Sequence, residues 1–101
     1  MIMKLNYGII GTGMMGCEHI RNLKKIPDVR IVAIADPNEE SRIWASKACE
    51  DKFKIRLYED YRELLAQKEI DVIVVASPNF THIEVMRELF ETDKHVLLKN
   101  P

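Results

Sequence analysis

Short apolar runs alternate with longer amphipathic stretches along the whole chain, and this alternation is typical of βαβ units. Five apolar runs predict strands, over residues 6–10, 29–36, 55–60, 71–77 and 95–98. The fourth run is almost wholly apolar and β-branched, as a parallel strand covered on both faces must be, so it is expected beside the first. The pattern predicts an α/β fold with a doubly wound parallel sheet in the strand order 3-2-1-4-5.

Four amphipathic stretches between these strands predict helices that cover the sheet. The second has Pro37 at its start, and the third is brief, starting at Asp60, whose spacing from Glu63 resembles a capping box. Apolar residues at helical spacing are Gly16, Ile20 and Leu23 in the first helix, Trp44 and Ala48 in the second, and Val85, Met86, Leu89 and Phe90, predicted to face inward, in the fourth.

A glycine cluster separates the first strand from the first helix, where Gly11 to Gly16 have the pattern G-x-G-x-x-G. The motif closes a strand, opens a helix and precedes a second strand that ends in an acid, which is the context of a dinucleotide-binding site. Gly11 permits the tight turn, Gly13 lets the backbone approach a pyrophosphate, and Gly16 lets the helix pack on the strand. The first helical turn offers N–H groups to the diphosphate. The alternative is an ordinary structural turn.

Asp36 is the acid at the tip of the second strand, twenty residues after Gly16. Its carboxylate is expected to accept hydrogen bonds from the adenosine ribose diol. A 2′-phosphate would be repelled there, and no arginine follows Asp36 directly, so NAD is favoured over NADP. The alternative interpretation is that Asp36 only caps the helix that starts at Pro37.

A second polar segment follows the fourth strand, at the topological switch between strands one and four, where ligands bind in such sheets. Ser77 and Asn79 offer short polar groups that can cap a helix or contact a ribose, and Pro78 lacks an N–H donor. His82 either lines the site or caps the helix, and the sequence leaves both possibilities open.

Composition and charge further limit the classes of partner that this chain is expected to bind. The 101 residues suffice for one domain, and 15 basic against 16 acidic residues give a net charge of −1, so neither nucleic acid nor an anionic membrane is an expected partner. No apolar run approaches the ~18 residues of a membrane span, and the N-terminus lacks a signal-peptide core, which predicts a cytoplasmic protein. Cys17 and Cys49 are expected to be reduced, and no histidine pair has zinc-ligand spacing.

Five segments, in order and spacing, resemble the Gfo/Idh/MocA oxidoreductases: YGIIGTGMMGCEHIRNL, IVAIADPNEESR, DYRELL, IDVIVVASPNFTHIEVMRELFE and KHVLLKNP. The resemblance covers essentially the whole chain, and its most telling element is the S/T-P-N-x-x-H segment. It implies that residues 1–101 are an N-terminal NAD(P)-binding Rossmann domain. The implied enzyme transfers hydride between NAD(P) and a hydroxyl-bearing carbon of a sugar, inositol or related substrate. A C-terminal domain in this family binds substrate and builds the homo-oligomer.

The resemblance also assigns site residues by position. It places two groups on the cofactor: Gly11, Thr12, Gly13, Met14, Met15 and Asp36 on the adenosine and diphosphate side, and Ser77, Pro78, Asn79 and His82 toward the nicotinamide. Family members usually carry E-K-P after the fifth strand. Here Lys99 has the place of the glutamate and Asn100 that of the catalytic lysine, so the catalytic assignment stays open between them.

Because the substrate domain is absent, the chain is expected to be an N-terminal fragment or a truncated product, inactive by itself. The competing hypothesis is a stand-alone, non-catalytic module that binds nucleotides or senses redox state.

Overall fold

The computed structural model describes residues 5–11, 20–23, 25–49, 55–76, 86–89 and 91–98. Within these ranges five parallel strands form one sheet in the order β3-β2-β1-β4-β5, which confirms the predicted α/β topology. The strands are β1 (Leu5–Ile10), β2 (Val29–Ala35), β3 (Arg56–Tyr58), β4 (Val72–Val75) and β5 (His95–Leu98). Strand β3 is shorter than the predicted 55–60, while the others lie within one or two residues of their predicted bounds.

The strand register aligns the carboxyl ends of all five strands. Their last residues are paired across the sheet in the order Tyr58, Ala35, Ile10, Val75 and Leu98. A register shift between Tyr7 and Gly8 on β1 precedes this alignment. The segments that follow the strands therefore leave the sheet along one straight edge, where ligands bind in doubly wound folds.

In the described ranges, helix α1 (Glu39–Cys49) connects β2 to β3, and helix α2 (Tyr61–Leu65) connects β3 to β4. Residues 20–23 and 86–89 are also helical. Asp60 is the N-cap of α2, with extended backbone and a side chain that accepts from the Arg62 N–H at 2.9 Å, as predicted. None of the helices in the described part of the chain has the length and apolar content needed to cross a membrane.

Apolar side chains cover both faces of the sheet, which is the doubly wound arrangement. One cluster packs α2 and the helical residues 86–89 on the sheet, and contains Ile10, Ala33, Ala35, Leu64, Ile70, Ile73, Val75 and Leu89. The other packs α1 and the helical residues 20–23, and contains Ile9, Ile20, Ile31, Ile34, Ala45 and Val74. All four residues of β4 are buried, which confirms its prediction as a central strand.

The buried face of α1 differs from the one that the sequence spacing indicated. Trp44 is 53% exposed and Ile43 is 44% exposed, whereas Ala45 is fully buried against β2 and its neighbours. The helix begins at Glu39 rather than at Pro37, and the turn before it sets which residues face the sheet. The i, i+4 spacing of Trp44 was therefore not evidence of a core position. The side chain of Ala48 lies outside the described set.

At the amino end of the sheet, a lysine just before β5 is hydrogen-bonded to the loop that precedes β4. The Lys94 ammonium donates to the carbonyl oxygens of Gln67 at 2.6 Å and Ile70 at 2.8 Å, in the loop between α2 and β4. Burial lowers the pKa of Lys94, and the nearby carboxylates of Asp71 and Asp93 partly oppose this. This cation lies at the end of the sheet opposite the ligand-binding edge, so its role is structural.

Candidate functional site

The candidate site lies at the carboxyl edge of the sheet. Three residues there, Gly11, Asp36 and Ala76, directly follow the adjacent strands β1, β2 and β4. The Gly11 N–H donates to the Ala35 carbonyl at 2.8 Å, and the Ala76 N–H donates to the Ile10 carbonyl at 2.8 Å. On the other side, the Asp36 N–H donates to the Tyr58 carbonyl at 3.0 Å. Each residue is thus tied to the last residue of the adjacent strand, which holds the start of each loop at a defined place.

Gly11 has the backbone conformation that its predicted role requires. Its φ angle is 80°, in the left-handed region that side chains rarely occupy, and the residue is buried. This is the conformation that the predicted tight turn requires, and the turn itself involves residues that lie outside the described ranges.

Asp36 is the one charged residue that is buried among those described, with 8% of its surface exposed. Its carboxylate oxygen Oδ1 accepts a hydrogen bond of 2.8 Å from the Asn38 N–H. Asn38 then caps α1, because its own Oδ1 accepts from the Ser41 N–H at 3.0 Å. The side chain that caps α1 is thus that of Asn38, and the Asp36 carboxylate orders the turn before it.

Arg42 belongs to the same turn and was missed at the sequence level. Its Nη1 atom donates to the Asp36 carbonyl oxygen at 2.7 Å, across six positions of sequence. The prediction considered only an arginine directly after Asp36. The signal that could have revealed it is the cap at Asn38, since a side chain four residues after an N-cap lies one turn above it.

The remaining predicted site residues lie outside the described residues. They are Thr12, Gly13, Met14, Met15, Gly16, Ser77, Pro78, Asn79, His82, Lys99 and Asn100. What the structure does place are the residues from which two of these segments start, Gly11 and Ala76, on the paired strands β1 and β4. In the described part of the chain, no group of three or more His, Cys, Asp or Glu residues is arranged to hold a metal ion.

The fold and this edge define a dinucleotide-binding α/β domain, and comparison with known proteins gives the family. A sequence model of the oxidoreductase family with an NAD-binding Rossmann fold, Gfo/Idh/MocA, matches residues 5–101. The chain belongs to this family. The resemblance seen in the sequence motifs is thereby confirmed.

Relatives of this chain are oxidoreductases. It is 38% identical over 95 residues to the uncharacterized oxidoreductase YrbE of Bacillus subtilis, covering 93% of this chain and 27% of that protein. It is 30% identical over 102 residues to inositol 2-dehydrogenase of Salmonella typhimurium, covering 98% and 29% of the two chains. The chain therefore spans little more than a quarter of the length of these relatives.

Solved structures agree with the fold. The myo-inositol dehydrogenase of Lactobacillus casei, in complex with NAD(H) and myo-inositol, superimposes with a TM-score of 0.83 at 30% identity, over 98% of this chain and 29% of that one. A probable dehydrogenase from Thermotoga maritima gives a TM-score of 0.83 at 31% identity, over 96% and 28%.

The described residues fit NAD, the cofactor of this family. Gly11, with positive φ, directly follows β1, and Asp36 places a buried carboxylate directly after the adjacent strand β2, the two positions from which this type of fold contacts a pyrophosphate and a ribose diol. When bound, NAD supplies a hydride acceptor that the protein's own side chains lack.

Proposed function

We propose that this chain is the cofactor-binding part of an oxidoreductase that transfers hydride between NAD and a hydroxyl-bearing carbon of an inositol, a sugar or a related polyol. The support is its membership of the Gfo/Idh/MocA family, together with relatives that are named inositol 2-dehydrogenases. A structural neighbour at 30% identity holds both NAD(H) and myo-inositol. Residues 1–101 would form the NAD-binding domain, and a separate domain would bind the substrate.

The observation that carries the proposal is the buried carboxylate of Asp36 at the end of β2. A carboxylate with 8% exposure loses hydration, and such a position is favourable only where hydrogen bonds compensate the loss. The Asn38 N–H supplies a hydrogen bond of this kind. A ribose diol supplies two O–H donors, whereas a 2′-phosphate adds negative charge beside the carboxylate. We therefore assign a preference for NAD over NADP.

Replacing Asp36 tests this proposal directly. A hydrogen bond to a charged group contributes roughly 1.5–3 kcal/mol, so Asp36→Ala is expected to weaken NADH binding about tenfold to a hundredfold. Isothermal titration calorimetry on the 101-residue chain measures the Kd. Asp36→Asn retains the shape and an acceptor for the Asn38 N–H, and should show most of the same loss because the charge is gone.

Asp28→Asn is the matched control for that measurement. It removes a carboxylate from an exposed residue just before β2, at the opposite end of that strand, where the Asp28 main-chain carbonyl accepts from the Leu5 N–H at 2.8 Å. NADH binding should be unchanged. Equal affinities for the Asp36 and Asp28 variants would contradict the assigned role of Asp36.

An activity assay on the 101-residue chain tests whether substrate binding resides in a separate domain. Incubated with NAD and a panel of inositols and sugars, it is expected to bind the cofactor but to form no NADH, because substrate binding is assigned to a separate domain. Formation of NADH would show that assignment to be wrong. The catalytic choice between Lys99 and Asn100, the homo-oligomer and the cytoplasmic location stay predictions.

A further inference from the structure

Helix α1 exposes a row of side chains on the face that points away from the sheet. Ala45 is fully buried against the sheet, whereas Trp44 is 53% exposed and Ile43 is 44% exposed. Glu40 and Lys47 are exposed as well. The exposed residues have the spacing i, i+3, i+4 and i+7, which places them on one side of a helix and Ala45 roughly on the other. We refer to Glu40, Ile43, Trp44 and Lys47 as the α1 stripe.

The chemical types along the α1 stripe follow the order acid, apolar, apolar, base. Glu40 lies in the first turn of the helix and Lys47 in the last, with the two apolar side chains between them. In the described part of the chain, the salt bridges are made by Arg56 and Arg62, so neither charge of the stripe is paired there. The stripe therefore has an apolar centre and opposite charges available at its two ends.

Such a surface is complementary to itself when two copies meet with their α1 helices antiparallel. A two-fold axis that passes between positions 43 and 44 places Ile43 of one copy opposite Trp44 of the other. The same axis places Glu40 opposite Lys47 of the second copy, and it does so twice, because every contact of a two-fold interface occurs in both directions. A parallel arrangement would instead place like charges side by side. The order of charges along the helix thus favours antiparallel pairing.

We propose that the α1 stripe is a docking surface for a second copy of this chain, bound through antiparallel pairing of the two α1 helices. Burial of the Trp44 indole and the Ile43 side chain supplies the apolar contribution, and the two pairs of opposite charges set the direction. Two helices that meet along one stripe bury less area than a standard interface, so the contact is expected to form in the millimolar range. The competing explanation is that Trp44 is an ordinary exposed apolar residue.

The indole N–H of Trp44 reports directly on the α1 stripe, because Trp44 is the only tryptophan among the 101 residues. A concentration series of the 101-residue chain up to the millimolar range, followed by proton–nitrogen correlation NMR, measures its environment. The background is Leu97→Lys, which places a charge on the edge strand β5, so that pairing of sheet edges does not contribute. We expect the indole signal to move with concentration along a saturating curve.

Charge reversal at the two ends of the stripe distinguishes antiparallel pairing from other causes of such a shift. Glu40→Lys places lysines opposite lysines, and Lys47→Glu places glutamates opposite glutamates, so each variant alone should associate about tenfold more weakly. An equimolar mixture of the two variants should regain the association, since every lysine then lies opposite a glutamate. The double variant Glu40→Lys/Lys47→Glu should regain it for the same reason.

Lys68→Glu is the matched control for these reversals. It changes the charge of the chain by the same amount as Lys47→Glu, on an exposed residue of the loop between α2 and β4. It should leave the concentration dependence of the indole signal unchanged. Circular dichroism verifies that each variant is folded, and all the altered side chains are exposed.

The outcomes separate the two explanations. An indole signal that does not move with concentration overturns the proposal. A signal that moves equally in the Glu40→Lys variant and in the equimolar mixture also overturns it, because the charge order then has no part in the contact. Recovery in the mixture and in the double variant, with loss in both single variants, is what antiparallel pairing requires. Failure of the chain to bind NADH would contradict the proposed function and leave this inference unaffected.

Discussion

Gly8 of β1 lies against the side chains of Leu64 in α2 and Ile70, which already fill the space that a side chain at this residue would need. A Cβ atom built on Gly8 would lie 2.8 Å from Leu64 Cδ2 and 3.2 Å from Ile70 Cδ1. Both neighbours are buried, Leu64 at 0% and Ile70 at 2% exposure, so neither can move away without disturbing the core. This glycine is required for the close approach of a strand and a helix, and it lies outside the G-x-G-x-x-G motif.

Gly8→Ala is expected to lower the free energy of unfolding by about 1–3 kcal/mol, the usual cost of overpacking a core. Urea denaturation followed by circular dichroism measures it. In a Leu64→Ala background the clashing Cδ2 atom is gone, so the same substitution should cost much less. An equal cost in both backgrounds would show that the contact with Leu64 is not the cause.

At the scale of the element, α1 depends on a cap that also connects it to the cofactor edge. Asn38 accepts the Ser41 N–H through its side chain, and Glu39 and Glu40 in the first turn add favourable charge at the helix N-terminus. The helix buries a narrow face, with Ala45 as its fully buried residue among the side chains described in Glu39–Cys49. Capping by Asn38 therefore adds to the packing of Ala45 in stabilising α1.

Asn38→Ala should destabilise the chain by about 1 kcal/mol, because the Ser41 N–H loses its side-chain acceptor. Thermal unfolding by circular dichroism measures the loss as a lowered Tm. Asn38→Asp is the matched control, since aspartate caps as well as asparagine, and it should have the wild-type Tm or slightly above. A lower Tm for both variants would indicate that the amide nitrogen of Asn38, rather than its oxygen, is the stabilising group.

At the scale of the whole molecule, the sheet ends in β5 on one side and in β3 on the other. In the described part of the chain, β5 pairs with β4 alone, and Leu97 on it is 42% exposed. Strand β3 has three residues, and Leu57 on it is also 42% exposed. An edge strand with an exposed apolar side chain offers unpaired main-chain groups to a second copy, and the longer β5 offers more of them.

The isolated chain is therefore expected to self-associate as its concentration rises, with β5 as the contact. Sedimentation velocity over a concentration series measures this. Leu97→Lys places a charge on the edge and should shift the chain to monomer, whereas Leu57→Lys, at a residue of equal exposure on the opposite edge, should behave as wild type. A wild-type chain that stays monomeric at high concentration would refute the expectation.

The strand order, the central place of β4 and the places of Gly11 and Asp36 at the carboxyl edge of the sheet could be predicted from sequence. These features depend on local rules: apolar periodicity selects strands and helices, right-handed crossovers restrict their order, and a glycine motif dictates its own backbone geometry. Each rule needs only residues that are close along the chain. The family motifs are local in the same sense, because each consists of residues at constant spacing along the chain.

Tertiary structure alone decided which side chains meet across elements. Which face of α1 is buried, and with it the exposure of Trp44, depends on how the helix packs on the sheet. The crowding at Gly8 depends on how closely α2 packs on β1. Sequence spacing carries no information about such angles and distances, because they result from the packing of both faces of the sheet at once.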